Sequence, residues 1–198
     1  MQLDNLKTLS KIKLSTIIYY LMKKLLTISF LLALTATTSF KGFSQAFKQG
    51  DKLLNATVGL NSGYGGFGSS TIPLGVSFEV GITEAISVGG FADYTSFKYA
   101  GSDGWSFLYF GGRGSYHVNE LLKINSDKLD VYGGLGLGYY TASYSGASNP
   151  LYSGAYGGSI FFTGFIGGRY YFTDNLGAVV ELGGGGVSNI KAGLTFKF

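Results

Sequence analysis

Residues 189–198 read NIKAGLTFKF, and this stretch decides the fold. Ile190, Ala192, Leu194, Phe196 and Phe198 alternate without a slip with Lys191, Gly193, Thr195 and Lys197. A period of two sends successive side chains to opposite faces of a β-strand. One face is therefore apolar and the other polar, and the chain ends on an aromatic ring. A soluble domain more often ends in a polar, frayed tail. The stretch instead reads as a closing strand whose apolar face looks outward.

Working back along the chain, the same period recurs in seven further runs. Leu54, Ala56, Val58 and Leu60 alternate with Asn55, Thr57 and Gly59, and Leu74, Val76, Phe78 and Val80 alternate with Gly75, Ser77, Glu79 and Gly81. Ile86 to Tyr94, Trp105 to Val118 and Leu129 to Tyr140 repeat the pattern, as do Ile160 to Phe172 and Ala178 to Leu182. That makes eight strands and no amphipathic helix of useful length. Several apolar faces end in aromatic residues (Tyr94, Tyr116, Tyr139, Tyr170, Phe172 and Phe198), and the charges within strands fall on the opposite face.

The 198 residues include 33 Gly, 16 Phe and 15 Tyr, with two Pro and no Cys. So many aromatics exclude ordinary disorder, and aperiodic glycine excludes collagen. The net charge of +4 suggests an acidic partner until the charges are located. Lys7, Lys11, Lys13, Lys23, Lys24 and Lys41 precede residue 47 against one acid, Asp4. From residue 47 onward nine basic residues face ten acidic ones, which removes nucleic acid as an expected partner.

The basic segment has the layout of a secretory leader. Met22-Lys23-Lys24 opens a positive region, Leu25 to Ala36 (LLTISFLLALTA) is apolar, and Thr37 to Ala46 is polar with Ser44 and Ala46 at its end. Residues 22–46 are read as a signal peptide cleaved after Ala46. Residues 1–21 are read as a leader extension or upstream start without a fold. A membrane anchor over Leu14 to Ala36 is disfavoured, since Lys23 and Lys24 would sit mid-bilayer at about 2.5–3.5 kcal/mol each. No cysteine follows the apolar run to carry a lipid anchor, and no disulfide is available.

In lipid every backbone N–H and C=O needs an internal partner, so strands that cross a bilayer must close into a barrel. Residues 47–198 are thus expected to form an all-β domain, an eight-stranded antiparallel transmembrane up-and-down β-barrel, preceded by the cleaved signal peptide. The connections also alternate in character. GITEA, NELLKINSDK and TDN follow strands two, four and six, whereas SGYGGFGSST, KYAGSDG and ASYSGASNPLYSGAY follow strands one, three and five.

The leader, the eight alternating strands and the terminal strand ending on Phe198 together resemble the small outer-membrane β-barrel family of OmpA and OmpX type, especially its porin-like barrel domains. The resemblance covers residues 47–198 and implies a bacterial outer-membrane location with both termini in the periplasm. It also implies that the barrel-assembly machinery reads the strand carrying Ile190, Ala192, Leu194, Phe196 and Phe198. The lipid bilayer and lipopolysaccharide are the other implied partners. The peptidoglycan-binding part of the OmpA role is not expected, because no further domain follows Phe198.

The inward face is expected to carry Glu79, Asp93, Arg113, His117, Asp130, Arg169, Glu181, Lys191 and Lys197. Around the turn at Thr173–Leu176, Arg169 and Glu181 are expected to form a cross-strand pair. Arg113 repeats the Gly-Gly-Arg context of Arg169, so a lumen layer of Arg113 and Arg169 against Glu181 and Glu79 is expected. An eight-stranded interior is just wide enough for side chains to fill, which favours a plug over a conducting constriction.

Catalysis finds little support. The single histidine, His117, has Ser115 two positions away on its own face, the minimal pairing for a Ser–His hydrolase. It lies at the periplasmic end of its strand, and no enzyme is expected. One His, no Cys and scattered carboxylates give no metal site, and GYGGFG and GGLGLG match no nucleotide loop, so no cofactor is expected either. The function read is structural or porin-like. The alternative is surface interaction through loops bearing Tyr64, Phe67, Tyr99, Trp105, Tyr144, Tyr152 and Tyr156.

Overall fold

The computed structural model describes residues 46–60, 69–98, 104–145, 156–184 and 186–198. Nine strands follow in chain order: β1 Lys52–Gly59, β2 Ser69–Ser70, β3 Leu74–Gly81, β4 Ile86–Lys98, β5 Gly104–His117, β6 Leu129–Ser145, β7 Tyr156–Tyr171, β8 Leu176–Gly184 and β9 Ile190–Lys197. Each pairs antiparallel with its sequence neighbour around the ring from β3 to β9, and β1 closes the ring by pairing with both β3 and β9. The two-residue β2 extends β3 along β4. Between Ser70↔Phe97 and Leu74↔Tyr94 one strand advances a residue more than the other, so the join is a bulge. Pro73, which has no N–H to give to a ladder, sits in that bulge, and its carbonyl accepts from Gly59 N at 2.8 Å. The result is a closed eight-stranded antiparallel barrel, as the alternation requires.

The faces divide as a membrane barrel's do. Phe78, Val88, Leu108, Leu137, Phe162, Val180 and Leu194 are exposed on the outside. Asn55, Glu79, Ser87, Asp93, Arg113, Asp130, Arg169, Glu181 and Thr195 are buried on the inside. The barrel is apolar outside and polar within, the reverse of a soluble domain. Tyr116, Tyr170 and Phe172 are exposed on the outside near one end, Tyr94 and Tyr139 nearer the other.

That first end carries tight turns built on one device. The Thr83 hydroxyl accepts from Ile86 N at 3.0 Å, and the Thr173 hydroxyl accepts from Leu176 N at 3.1 Å, closing β3–β4 and β7–β8. The third connection, residues 118–128, is longer. Asn119 clips it, accepting from Val131 N at 2.7 Å and donating to the Leu129 carbonyl. At the opposite end β4 to β7 run for 13, 14, 17 and 16 residues, against eight or nine for β1, β3, β8 and β9. This corrects the strand lengths read from sequence. Ala142–Ser145 belong to β6 and Tyr156 to β7, so Tyr144 and Tyr156 are strand residues rather than loop residues, and Trp105 of β5 stands directly opposite Tyr144. Residues 1–45, which include most of the expected leader, and Tyr64, Phe67, Tyr99 and Tyr152, expected in loops, lie outside the described residues.

Candidate functional site

Alternation brings the inward charges of five strands to one level of the lumen, and the register decides which of them meet. Asp130 on β6 stands directly opposite Arg169 on β7. Their ion pair, Nη1 to Oδ2, measures 2.8 Å, and both side chains are fully buried. Arg169 also reaches Glu79 Oε1 on β3 at 3.1 Å, and its Nε donates to Asn55 Oδ1 on β1 at 3.2 Å. One guanidinium thus ties β7 to its neighbour β6 and across the lumen to β1 and β3. Arg113 on β5 repeats the device. Its Nη2 lies 2.6 Å from Glu181 Oε1 and its Nη1 3.3 Å from Glu181 Oε2, a two-pronged grip, while its Nε is 3.3 Å from Glu79 Oε1.

The layer therefore joins Glu79, Arg113, Arg169 and Glu181, but without the expected cross-strand pair of Arg169 and Glu181. Arg169 is opposite Val179 and Glu181 opposite Gly167, so these two do not form the cross-strand pair read from the turn. The physical reason is register. Arg169 stands in register with Asp130 on its other neighbour, and Glu181 points across the lumen to Arg113 and to the Tyr132 hydroxyl, which donates at 2.8 Å.

Aromatic rings set the height of both arginines. Tyr132 lies over Gly167, where a Cβ would approach the ring to 2.5 Å, and Arg169 stacks on that ring at 3.9 Å from its centroid. Phe165 lies over Gly134, and Arg113 stacks on it at 3.9 Å. In each case a cross-strand glycine gives an aromatic ring room to lie flat, and a guanidinium covers the ring's other face. Gly167 thereby gives part of the Gly-Gly-Arg context a structural meaning.

His117, at the end of β5, extends the layer toward the turn end. Its Nδ1 is 2.7 Å from Asp130 Oδ1, its Nε2 is 3.0 Å from Ser87 Oγ, and Phe47 stacks on its ring at 3.5 Å and 4°. The suspected partner Ser115 instead donates to Glu79 Oε2 at 2.5 Å. The chain Ser87–His117–Asp130 has the connectivity of a nucleophile, base and orienting acid. Its serine, however, has no exposed surface and donates its own proton to Glu79 Oε2 at 2.8 Å. No substrate atom reaches that oxygen in this arrangement.

Above the layer, Lys191 Nζ meets Asp93 Oδ2 at 2.5 Å. A cavity of about 30 Å³ lies between this pair and Arg113–Glu181, walled by Phe91, Phe161 and Phe165. That is space for about two waters. Below the layer, Ala46 and Phe47 are buried, and Lys197 Nζ donates to the Ala46 carbonyl at 2.9 Å. Among the described residues no group of three or more His, Asp or Glu is placed to hold a metal ion.

The expected assembly strand is β9, paired with β8 and β1. Phe198 continues its ladder, donating to the Lys52 carbonyl at 2.9 Å. Ile190, Leu194 and Phe198 are exposed on the outside, and Ala192 and Phe196 are half-buried beside them.

No protein-family model and no curated protein sequence matches this chain. Solved structures do. The chain is similar to the N-terminal β-barrel domain of OprF from Pseudomonas aeruginosa, with 16% identity and a TM-score of 0.51 over 76% of this chain and 98% of that one. It is similar to the outer membrane protein OprG from the same organism, with 16% identity and a TM-score of 0.51 over 79% of this chain and 99% of that one. At such identity the likeness concerns architecture: this chain has the fold of the small outer-membrane β-barrels.

Proposed function

We propose that the protein is an integral outer-membrane β-barrel whose lumen is closed by the Arg113, Arg169, Glu79, Asp130 and Glu181 layer, and that its role is structural rather than that of an open pore. The observation that carries this reading is Arg169, fully buried and bonded to residues of β1, β3 and β6 at once. A side chain tied to three other strands obstructs the lumen at its level, and Arg113, gripping Glu181 and Glu79, obstructs it beside Arg169. The outward apolar belt supports a bilayer as the surrounding medium. The same reading makes lipopolysaccharide a neighbour, and it makes β9 the strand that the barrel-assembly machinery engages.

Conductance in a planar bilayer tests it. The refolded barrel is expected to stay silent under applied voltage. Discrete, reproducible openings that change in Arg169→Ala overturn the plug and favour a porin-like role.

One observation favours surface interaction as a second reading. The four long strands carry Trp105 and Tyr144, 5.2 Å apart, beyond the level at which the short strands end. Loss of cell-surface binding in Trp105→Ala, with the barrel intact, supports that role, and unchanged binding removes it.

A further inference from the structure

The layer contains a charge imbalance and a hydrogen-bond imbalance, and one proton resolves both. Two arginines, Arg113 and Arg169, face three carboxylates, Glu79, Asp130 and Glu181. All five are at least nine-tenths buried, where an uncompensated charge is strongly unfavourable. The Asp93–Lys191 pair nearby is already balanced. The layer is therefore one positive charge short.

Hydrogen-bond accounting reaches the same count independently. A serine hydroxyl has a single hydrogen. Ser87 directs it to Glu79 Oε2, so its oxygen faces His117 Nε2 as an acceptor and Nε2 must carry a hydrogen. Asp130 Oδ1 lies at 2.7 Å from Nδ1 and, as a carboxylate, only accepts, so Nδ1 must carry one too. If the hydrogen moves along the chain, so that Glu79 donates to Ser87 and Ser87 to His117, the total is unchanged. In either arrangement the cluster holds one proton more than a neutral imidazole and two carboxylates provide.

We propose that the lumen layer is a proton-binding site, its proton shared along His117, Ser87 and Glu79 and held against Asp130. This deepens the closed-lumen reading, because the bound proton makes the plug electrically neutral. Every charged or titratable neighbour bears on the site: Glu79 and Arg113 across Ser115 and Ser87, Asp130 with Arg169 beneath it, and Tyr132, whose ring is 5.7 Å from His117 and whose hydroxyl serves Glu181. Phe47 covers the remaining face of the imidazole. Loss of the proton leaves the layer with one net negative charge and one hydrogen too few for the chain, so that one of the Glu79–Ser87, Ser87–His117 and His117–Asp130 hydrogen bonds is given up.

The single histidine makes the test direct. The full-length protein, folded in lipid and labelled with nitrogen-15 histidine and with carbon-13 glutamate and aspartate, is examined by NMR near neutral pH. Two protonated ring nitrogens, or one together with a protonated Glu79 carboxyl, support the site. A singly protonated ring with Glu79 and Asp130 both ionised overturns it. Glu79→Gln removes the surplus negative charge, so its ring is expected to carry one proton, and a doubly protonated ring in that variant overturns the charge argument. Should Glu79→Gln fail to fold, Ser87→Ala keeps every charge and is expected to retain the extra proton on the ring or on Glu79, and its absence from both overturns the proposal. None of these readouts depends on conductance, so a barrel that conducts leaves them interpretable.

Discussion

Asp130 and Arg169 face each other in register across β6 and β7 at 2.8 Å, yet neither is bound to the other alone. Asp130 also meets His117, and Arg169 also meets Glu79 and Asn55. Removing one partner of a buried pair leaves the other charge uncompensated, at about 3–5 kcal/mol. Arg169→Met is expected to lower unfolding stability in lipid by that order, measured by urea titration. Adding Asp130→Asn to it removes one orphaned charge and is expected to recover part of the loss. Simple additivity of the two variants would show that the pair is not coupled.

The second arginine gives a functional prediction. Arg113 and Glu181 join β5 to β8 across the lumen at 2.6 Å, directly below the small cavity walled by Phe91, Phe161 and Phe165. Replacing both with alanine keeps the net charge of the layer and removes the bridge. The double variant is expected to show ion conductance where the unaltered barrel shows none. A double variant that folds and remains silent would place the closure at Arg169 alone.

Adjacent glycines on β7 provide a third. Gly167 points inward, where a Cβ would meet the Tyr132 ring at 2.5 Å, while Gly168 has nothing nearer than 3.9 Å. The ring is not free to yield, since its hydroxyl binds Glu181 and Arg169 stacks on it. Gly167→Ala is expected to destabilise by about 1–3 kcal/mol, the usual range for overpacking. Gly168→Ala is expected to lie within about 0.5 kcal/mol of the parent. Thermal or urea unfolding of the two variants side by side checks both.

The physics of each feature explains why it was or was not legible in the sequence. Which face each strand buries follows from alternation within that strand, so Leu194 outside and Thr195 inside needed no knowledge of neighbours. Pairing partners depend on register, which is set across the turns and loops. The short turn after β7 suggests Glu181 as the partner of Arg169, whereas its in-register partner Asp130 stands on β6, ten residues of connecting sequence before β7. Ser87 had no distinguishing signal in its strand, because its importance comes from His117 and Glu79, which reach it from two other strands. The Gly-Gly-Arg repeat was a visible hint. Its meaning at Gly167, an aromatic ring lying flat over a glycine, needed the cross-strand view.

The outward belt yields the prediction that separates a membrane barrel from a soluble one. Leu194 is exposed in the middle of β9, flanked in register by Ala56 of β1 and Ala178 of β8. In water, exchanging an exposed leucine for lysine changes stability little. In a bilayer, a lysine at that depth is unfavourable by about 2–4 kcal/mol, falling to about 0–1 near the interfaces. Leu194→Lys is therefore expected to destabilise the lipid-folded barrel by the larger amount. Ile190→Lys, at the loop end of the same strand, is expected to show the smaller one. Equal, negligible effects at both positions would mean that this face does not contact hydrocarbon, and the membrane reading would fall with them.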